Sequence, residues 1–227
     1  MIADALAALA QIFSPPFRAI LVKSLALTIG VLILAWLALD RLALGYLEIG
    51  PSWLATTLAI LAGLGLIVGL AFLVAPITSL TAGFFLDDIA LIVEREIDPR
   101  GPPGRAIPFG TSALLAARFA GLSIVVNAVA LALLLAPGVN LFAFLAANGY
   151  LLGREYFELA AMRYRSLEEA RAMRRRFGLL IFLAGVIISL FVAVPVLNLF
   201  TPLFATAFMT RLHKRLSVNN GATVPAR

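Results

Sequence analysis

Cysteine is absent from the 227 residues, so disulfides and thiolate metal sites are excluded. Charge is scarce: Asp, Glu, Lys and Arg make up 13% of the chain, against about 25% in a soluble domain. Histidine occurs once, as His213, and its basic setting with Arg211, Lys214 and Arg215 reads as a surface residue rather than a ligand. There is no Ser-His-Asp arrangement, no phosphate-cradling P-loop and no H-E-x-x-H pair. Catalysis, a cofactor and a metal site are therefore not expected. A net charge of +6 could favour nucleic acid, but no aromatic-basic platform or DNA-binding motif accompanies it.

What is present is hydrophobic sequence, 62% of the chain. It is gathered into runs longer than twenty residues between charged blocks, the pattern of a helical integral membrane protein. The alternating segments of a membrane β-barrel are missing. The N-terminus, MIADALAALAQIF, lacks a signal-peptide layout. Its Ile2, Ala5, Leu6, Leu9, Ile12 and Phe13 share a helix face, which predicts a short helix in the membrane interface, ended by Ser14-Pro15-Pro16.

The first long run, Ile20 to Leu39, is enough to cross a bilayer, with Lys23 placed to snorkel at its start. The second runs from near Trp53 to Asp87, contains Pro76 as a kink, and carries Gly65 and Gly69 as a close-packing face. Past it, GFFLDDIALIVERE predicts an amphipathic helix leaving the membrane. Asp87, Glu94 and Asp98 fall on a wetted face, and Ile89, Ile92 and Val93 on the other. Asp87 then either begins that wetted stripe, or orders a nearby arginine or gates the cytoplasmic mouth.

Two further runs, Phe119–Leu152 and Phe177–Thr210, repeat each other with a period of 58 residues. Arg118-Phe119 and Arg176-Phe177 open them. Pro137 and Pro195 each begin the pattern P-x-x-N-L-F, containing Asn140 and Asn198. A proline with glycine or asparagine stops a helix and turns the chain, so each run reads as a helical hairpin. Arms of about 15–18 residues are slightly short of a full crossing at ~1.5 Å per residue. The hairpins therefore either penetrate part of the bilayer or cross it with local thinning. Asn140 and Asn198 either cap the second arms or line a path; Asn127 is a further polar group in an apolar run.

The expected organisation is one membrane domain: an interfacial helix over 1–16, long helices over 19–39 and 53–96, and a cytoplasmic loop over 97–108. Hairpins over 119–152 and 177–210 follow, joined by a cytoplasmic linker helix over 154–176, with a basic tail over 211–227. Of the 18 Lys and Arg residues only Arg41 lies in a loop on the opposite side, so the positive-inside rule places both termini in the cytoplasm. Arg174-Arg175-Arg176 would lie close to anionic head groups.

These motifs resemble the CysZ-type inner-membrane sulfate permeases. Pro195-Val196-Leu197-Asn198-Leu199-Phe200, the small-residue run from Ala205 to Met209, and the Pro137-Gly138-Val139 turn carry the likeness. Ala75-Pro76 followed by Gly83-Phe84-Phe85-Leu86-Asp87 is similar to the family's Ala-Pro and Gly-Leu-Leu-x-Glu elements. The resemblance covers about Pro15 to Arg215. It implies long membrane helices plus two hemi-penetrating hairpins packed as homo-oligomers in a bacterial inner membrane, and sulfate uptake that feeds cysteine synthesis. It also implies a Pro-x-x-Arg-Arg sulfate-binding segment, which Pro15-Pro16-Phe17-Arg18 matches at its first arginine while Ala19 stands at the second. The candidate substrate-binding residues are Arg18, Lys23, Arg118 and Arg154, each also readable as an interface anchor. Asp87, Asn140 and Asn198 are candidate gating or supporting residues. Arg176 is a further membrane-edge cation. A carboxylate repels sulfate, so any part played by Asp87 is indirect. A non-transporting membrane scaffold of the same fold and a small-solute exporter are the alternatives.

Overall fold

The computed structural model describes residues 1–44, 85–108 and 140–219, with single positions 63, 110, 111, 114, 118, 121, 122 and 125. Pro76, the Gly65–Gly69 face, Asn127, Pro137 and the Gly138-Val139 tip lie outside these residues. Everything regular among the described residues is helical: α1 Ile2–Ile12, α2 Pro15–Leu44, α3 Leu86–Ile97, α4 Asn140–Met162, α5 Leu167–Arg176, α6 Gly178–Ala193, α7 Pro195–Asn198 and α8 Thr201–Asn219. Two compact units result. One contains Met1–Arg18 with Leu86–Arg227, the other Ala19–Phe85.

The prolines that end α1 also begin α2, so this helix starts at Pro15 rather than near residue 19. First-turn N–H groups have no intrahelical acceptor, so a missing donor costs nothing there. Pro15–Ala38 is the one described helix long and apolar enough by itself to cross a membrane. Val22, Leu27, Ile29, Ile33, Leu34 and Leu37 are exposed along it, a surface suited to lipid and not to water. Two of its hydroxyls bond back to the helix: Ser24 Oγ donates to the Leu21 carbonyl (2.9 Å) and Thr28 Oγ1 to that of Ser24 (2.8 Å).

In the other unit, α1 buries Ala8, Gln11 and Ile12 and packs on α8. Ile2, Leu6, Leu9 and Phe13 remain exposed. The apolar outer side is the one expected, except that Ile12 faces inward.

The predicted break at Pro195 is present. Proline disfavours the helical region for the residue before it. Val194 is accordingly extended (φ −104°, ψ 114°), and α6 ends at Ala193. One turn of α7 reverses the chain, and α8 follows. The rings of Phe191 and Phe204 stack across the reversal, 4.0 Å apart and 6° from parallel. Helix α8 then runs straight through Arg211 to Asn219, so residues 211–219, expected in a basic tail, are helical. Thr201 to Thr210 are all buried, as are Leu212, His213, Lys214, Leu216 and Ser217.

Helix α6 packs most closely on α4. The contact is built on glycine. A methyl group on Gly185 would overlap the Gly149 carbonyl oxygen and lie 2.7 Å from the Gly153 nitrogen; one on Gly153 would lie 2.6 Å from the Ile181 carbonyl oxygen. Gly149-x-x-x-Gly153 is a small-residue pair that lets two backbones touch. Residues 154–176, expected as one linker helix, are divided between the end of α4, a turn at 163–166, and α5. A reciprocal capping box between Ser166 and Glu169 starts α5. At Phe177 the chain bends by 92° into α6.

Candidate functional site

Helix α3 packs Ile89, Ala90 and Val93 into the unit. Glu94 follows Val93 on the same side and is only 2% exposed. The wetted stripe expected from the sequence is therefore corrected at Glu94. Its Oε1 accepts from Arg163 Nε at 2.7 Å. Its Oε2 accepts from Arg163 Nη2 at 3.2 Å and from the Gly104 N–H at 3.0 Å. Arg163 Nη1 pairs with Asp87, and Nη2 also donates to the Gly104 carbonyl at 3.3 Å. The Arg105 N–H closes the loop onto the Arg163 carbonyl at 2.8 Å. Gly104 is required here, because a Cβ would lie 2.8 Å from both Arg163 Cβ and Glu94 Oε1. Burial alone would lower the Arg163 pKa, but the hydrogen bond and charge of Glu94, with Asp87, raise it. One guanidinium against two carboxylates leaves this centre negative. It can fix a loop and two helices, but it repels a dianion.

A second centre has the opposite balance. Glu158, buried on α4, lies 2.9 Å from Arg174 Nε, 3.5 Å from Arg154 Nε and 4.0 Å from Arg171 Nε. The three arginine side chains keep 21–31% of their surface exposed. Neighbouring Glu155 is pushed up to about 8 by burial, which the charge of Arg154 opposes and that of Glu158 reinforces. It is mostly neutral at pH 7. Three guanidiniums against one carboxylate leave a positive, accessible cluster.

Further pairs tie the unit together. Gln11 of α1 donates to Glu96 Oε2 (2.5 Å), and Arg211 of α8 donates to Glu96 Oε1 (2.6 Å) and to Gln11 Oε1 (3.0 Å). Arg215 pairs with Asp4 at 2.8 Å.

The residues singled out in the sequence do not gather at one point. Arg18, Lys23 and Arg118 are exposed, with no ion pair among the described residues. Arg154 belongs to the Glu158 cluster, and Asp87 to the Arg163 centre. Asn140 opens α4, and Asn198 closes α7, its Oδ1 accepting from Thr201 Oγ1 at 3.5 Å. His213, read as a surface residue, is fully buried. It sits between Phe157, edge-on at 6.0 Å, and Tyr164, stacked at 5.7 Å. Burial first, then Arg165 and Lys214, lower its pKa to about 3, so it is neutral at pH 7. Lys214 is buried as well, its ammonium 4.3 Å from the Tyr164 ring centre.

A family model described as "Sulfate transporter CysZ/Etoposide-induced protein 2.4" matches residues 4–202. The chain belongs to that family. None of the curated proteins compared with it matches. The CysZ/etoposide-induced 2.4 match takes in every candidate residue named above from Arg18 to Asn198, both ionic centres among them, and stops at the start of α8. It is a family of transporters, in keeping with the exposed apolar α2 and the all-helical described fold.

Arg163, Glu158 and the Gly149–Gly153–Gly185 crossing were not found in the sequence. The glycine pair had a readable spacing. Arg163 had none, since its partners lie 69 and 76 residues away.

Proposed function

We propose that this protein is a permease for sulfate or a closely similar inorganic anion, acting in the bacterial inner membrane without chemistry on its substrate. The family match over residues 4–202 carries the reading. In this reading α2 and the run ending at Asp87 are long transmembrane helices. The two proline-centred hairpins dip into the bilayer from the cytoplasmic side, where both termini lie, and copies of the chain assemble into a homo-oligomer. The imported anion supplies cysteine biosynthesis.

Charge balance sorts the candidate residues. An anion path needs positive potential and donors that replace lost hydration. Arg154, with Arg171 and Arg174 around Glu158, offers that at the cytoplasmic end, and the exposed Arg18, Lys23 and Arg118 offer it at other membrane edges. Asp87 acts indirectly, by holding Arg163. Asn198 stabilises the start of α8.

Labelled sulfate uptake into liposomes holding the purified protein tests the proposal. Flux well above that of empty vesicles is expected. Flux equal to theirs would leave a membrane scaffold as the better reading, and loss of preloaded sulfate without uptake an exporter. Arg18→Glu is expected to slow uptake; unchanged uptake would reduce Arg18 to an anchor.

A further inference from the structure

Thr206, Thr210, His213 and Ser217 recur along α8 at steps of four, three and four. At about 100° per residue they fall within roughly 60° of one another. All four are buried, with exposures of 8%, 1%, 0% and 0%. The opposite side of the helix carries Phe204 and Phe208, stacked in series with Phe191. Both sides of the helix are inside the protein, Phe204 and Phe208 being as buried as the polar stripe.

The polar side is rich in hydrogens without acceptors. Thr206 Oγ1, Thr210 Oγ1 and His213 Nδ1 are fully buried atoms with no hydrogen-bond partner among the described residues. A helical threonine ordinarily returns its hydroxyl to a carbonyl one turn back, as Thr28 does. Thr206 and Thr210 do not. Ser217 Oγ accepts from Arg165 Nη2 at 3.4 Å and lies 3.3 Å from His213 Nε2. The serine oxygen has one hydrogen and two lone pairs, so it serves Nε2 as donor or as acceptor, and either nitrogen of the neutral ring can carry the hydrogen. Arg165 Nε, at the end of the stripe, is also buried without a partner. Arg165 Nε can only donate, and the two hydroxyls can do so as well. No carboxylate bonds to any of them, and the charged neighbours of His213 are Arg165 and Lys214.

We propose that this stripe of α8 is an internal oxyanion site, in which the Thr206 and Thr210 hydroxyls, one helical turn apart, donate hydrogen bonds to a small tetrahedral anion, and Arg165 and Lys214 supply positive potential from the far end. The stripe lies past residue 202, beyond the part of the chain that the family model matches. The proposal rests on the permease reading for the anion's passage, though not for its binding.

The full-length protein, Thr206→Val/Thr210→Val and Thr206→Ser/Thr210→Ser provide the test. Valine keeps the shape of threonine without the donor; serine keeps the donor. Two quantities are read: the rise in melting temperature on adding sodium sulfate over sodium chloride at equal ionic strength, and labelled sulfate flux in liposomes. Sulfate is expected to raise the melting temperature of the parent and the serine variant but not of the valine variant. Flux is expected to fall about tenfold or more in the valine variant, as losing hydrogen bonds to an anion implies. If the double valine variant does not fold, Thr210→Val alone takes its place. A sulfate-specific rise undiminished in the valine variant, or absent from the parent, overturns the site. A rise that depends on the hydroxyls in a parent with no flux upholds the site and discards the permease.

Discussion

Glu94 and Arg163, 69 residues apart, meet through two hydrogen bonds at 2.7 and 3.2 Å, with 2% and 5% of their side-chain surfaces exposed. The pair fixes α3 against the turn between α4 and α5. Removing one member of a buried pair strands the other, a loss of about 3–5 kcal/mol. Arg163→Ala should therefore lower the melting temperature in detergent sharply. Asp87 is 44% exposed, so Asp87→Asn should cost about 1 kcal/mol or less. Equal losses in the two variants would contradict this ranking.

The crossing of α4 and α6 gives a contrast among glycines. Gly185→Ala places a methyl group on the backbone of α4. Neither backbone can yield without separating the helices, so a loss of about 2 kcal/mol or more is expected. Gly30 has open space around it within α2, and Gly30→Ala should gain up to about 1 kcal/mol from helix propensity. Parallel thermal melts of the two variants compare them directly.

Two groups, half-buried Glu155 and buried His213, make stability depend on pH with opposite signs. Glu155 holds its proton in the folded state up to about pH 8, but near 4.5 when unfolded. Between those values the folded form binds more protons, so this group's stabilising contribution falls as pH rises. His213 is the reverse: its folded value of about 3 lies below the ordinary 6.5. Its contribution is full above 6.5 and is lost as pH falls towards 3. From pH 6.5 to 8 only the glutamate slope remains, and Glu155→Gln should flatten it. Below pH 6.5 His213→Phe should gain on the parent as the medium is acidified. A pH-independent difference between His213→Phe and the parent would refute the histidine assignment.

A chain without cysteine allows single-cysteine labelling without background. The dipping-hairpin proposal expects Glu168→Cys on α5 to react with an impermeant maleimide only in inverted vesicles. Leu197→Cys, at the hairpin tip, should react from neither side. Labelling of residue 197 from the periplasmic side would instead mean that the second hairpin crosses the bilayer.

Local properties were legible before any coordinates. The apolar character of Pro15–Ala38, the break at Pro195 and the polarity of α5 depend on a residue and its near neighbours. So does the family likeness, which rests on short motifs. The single histidine shows where such reading stops. Its basic neighbours described a surface, but helix α8 continues past Thr210 and carries His213 between Phe157 and Tyr164.

The sequence by itself determined a helical, membrane-suited chain of the CysZ/etoposide-induced 2.4 family, because periodicity, hydropathy and proline placement act within a few residues. Tertiary packing alone decided that Glu94 is buried against Arg163, that Glu158 collects three arginines, and that Thr206, Thr210 and His213 turn their polar atoms inward. Those outcomes depend on which helix faces meet between segments distant in the chain, as in the close backbone contact of Gly149, Gly153 and Gly185 where α4 crosses α6.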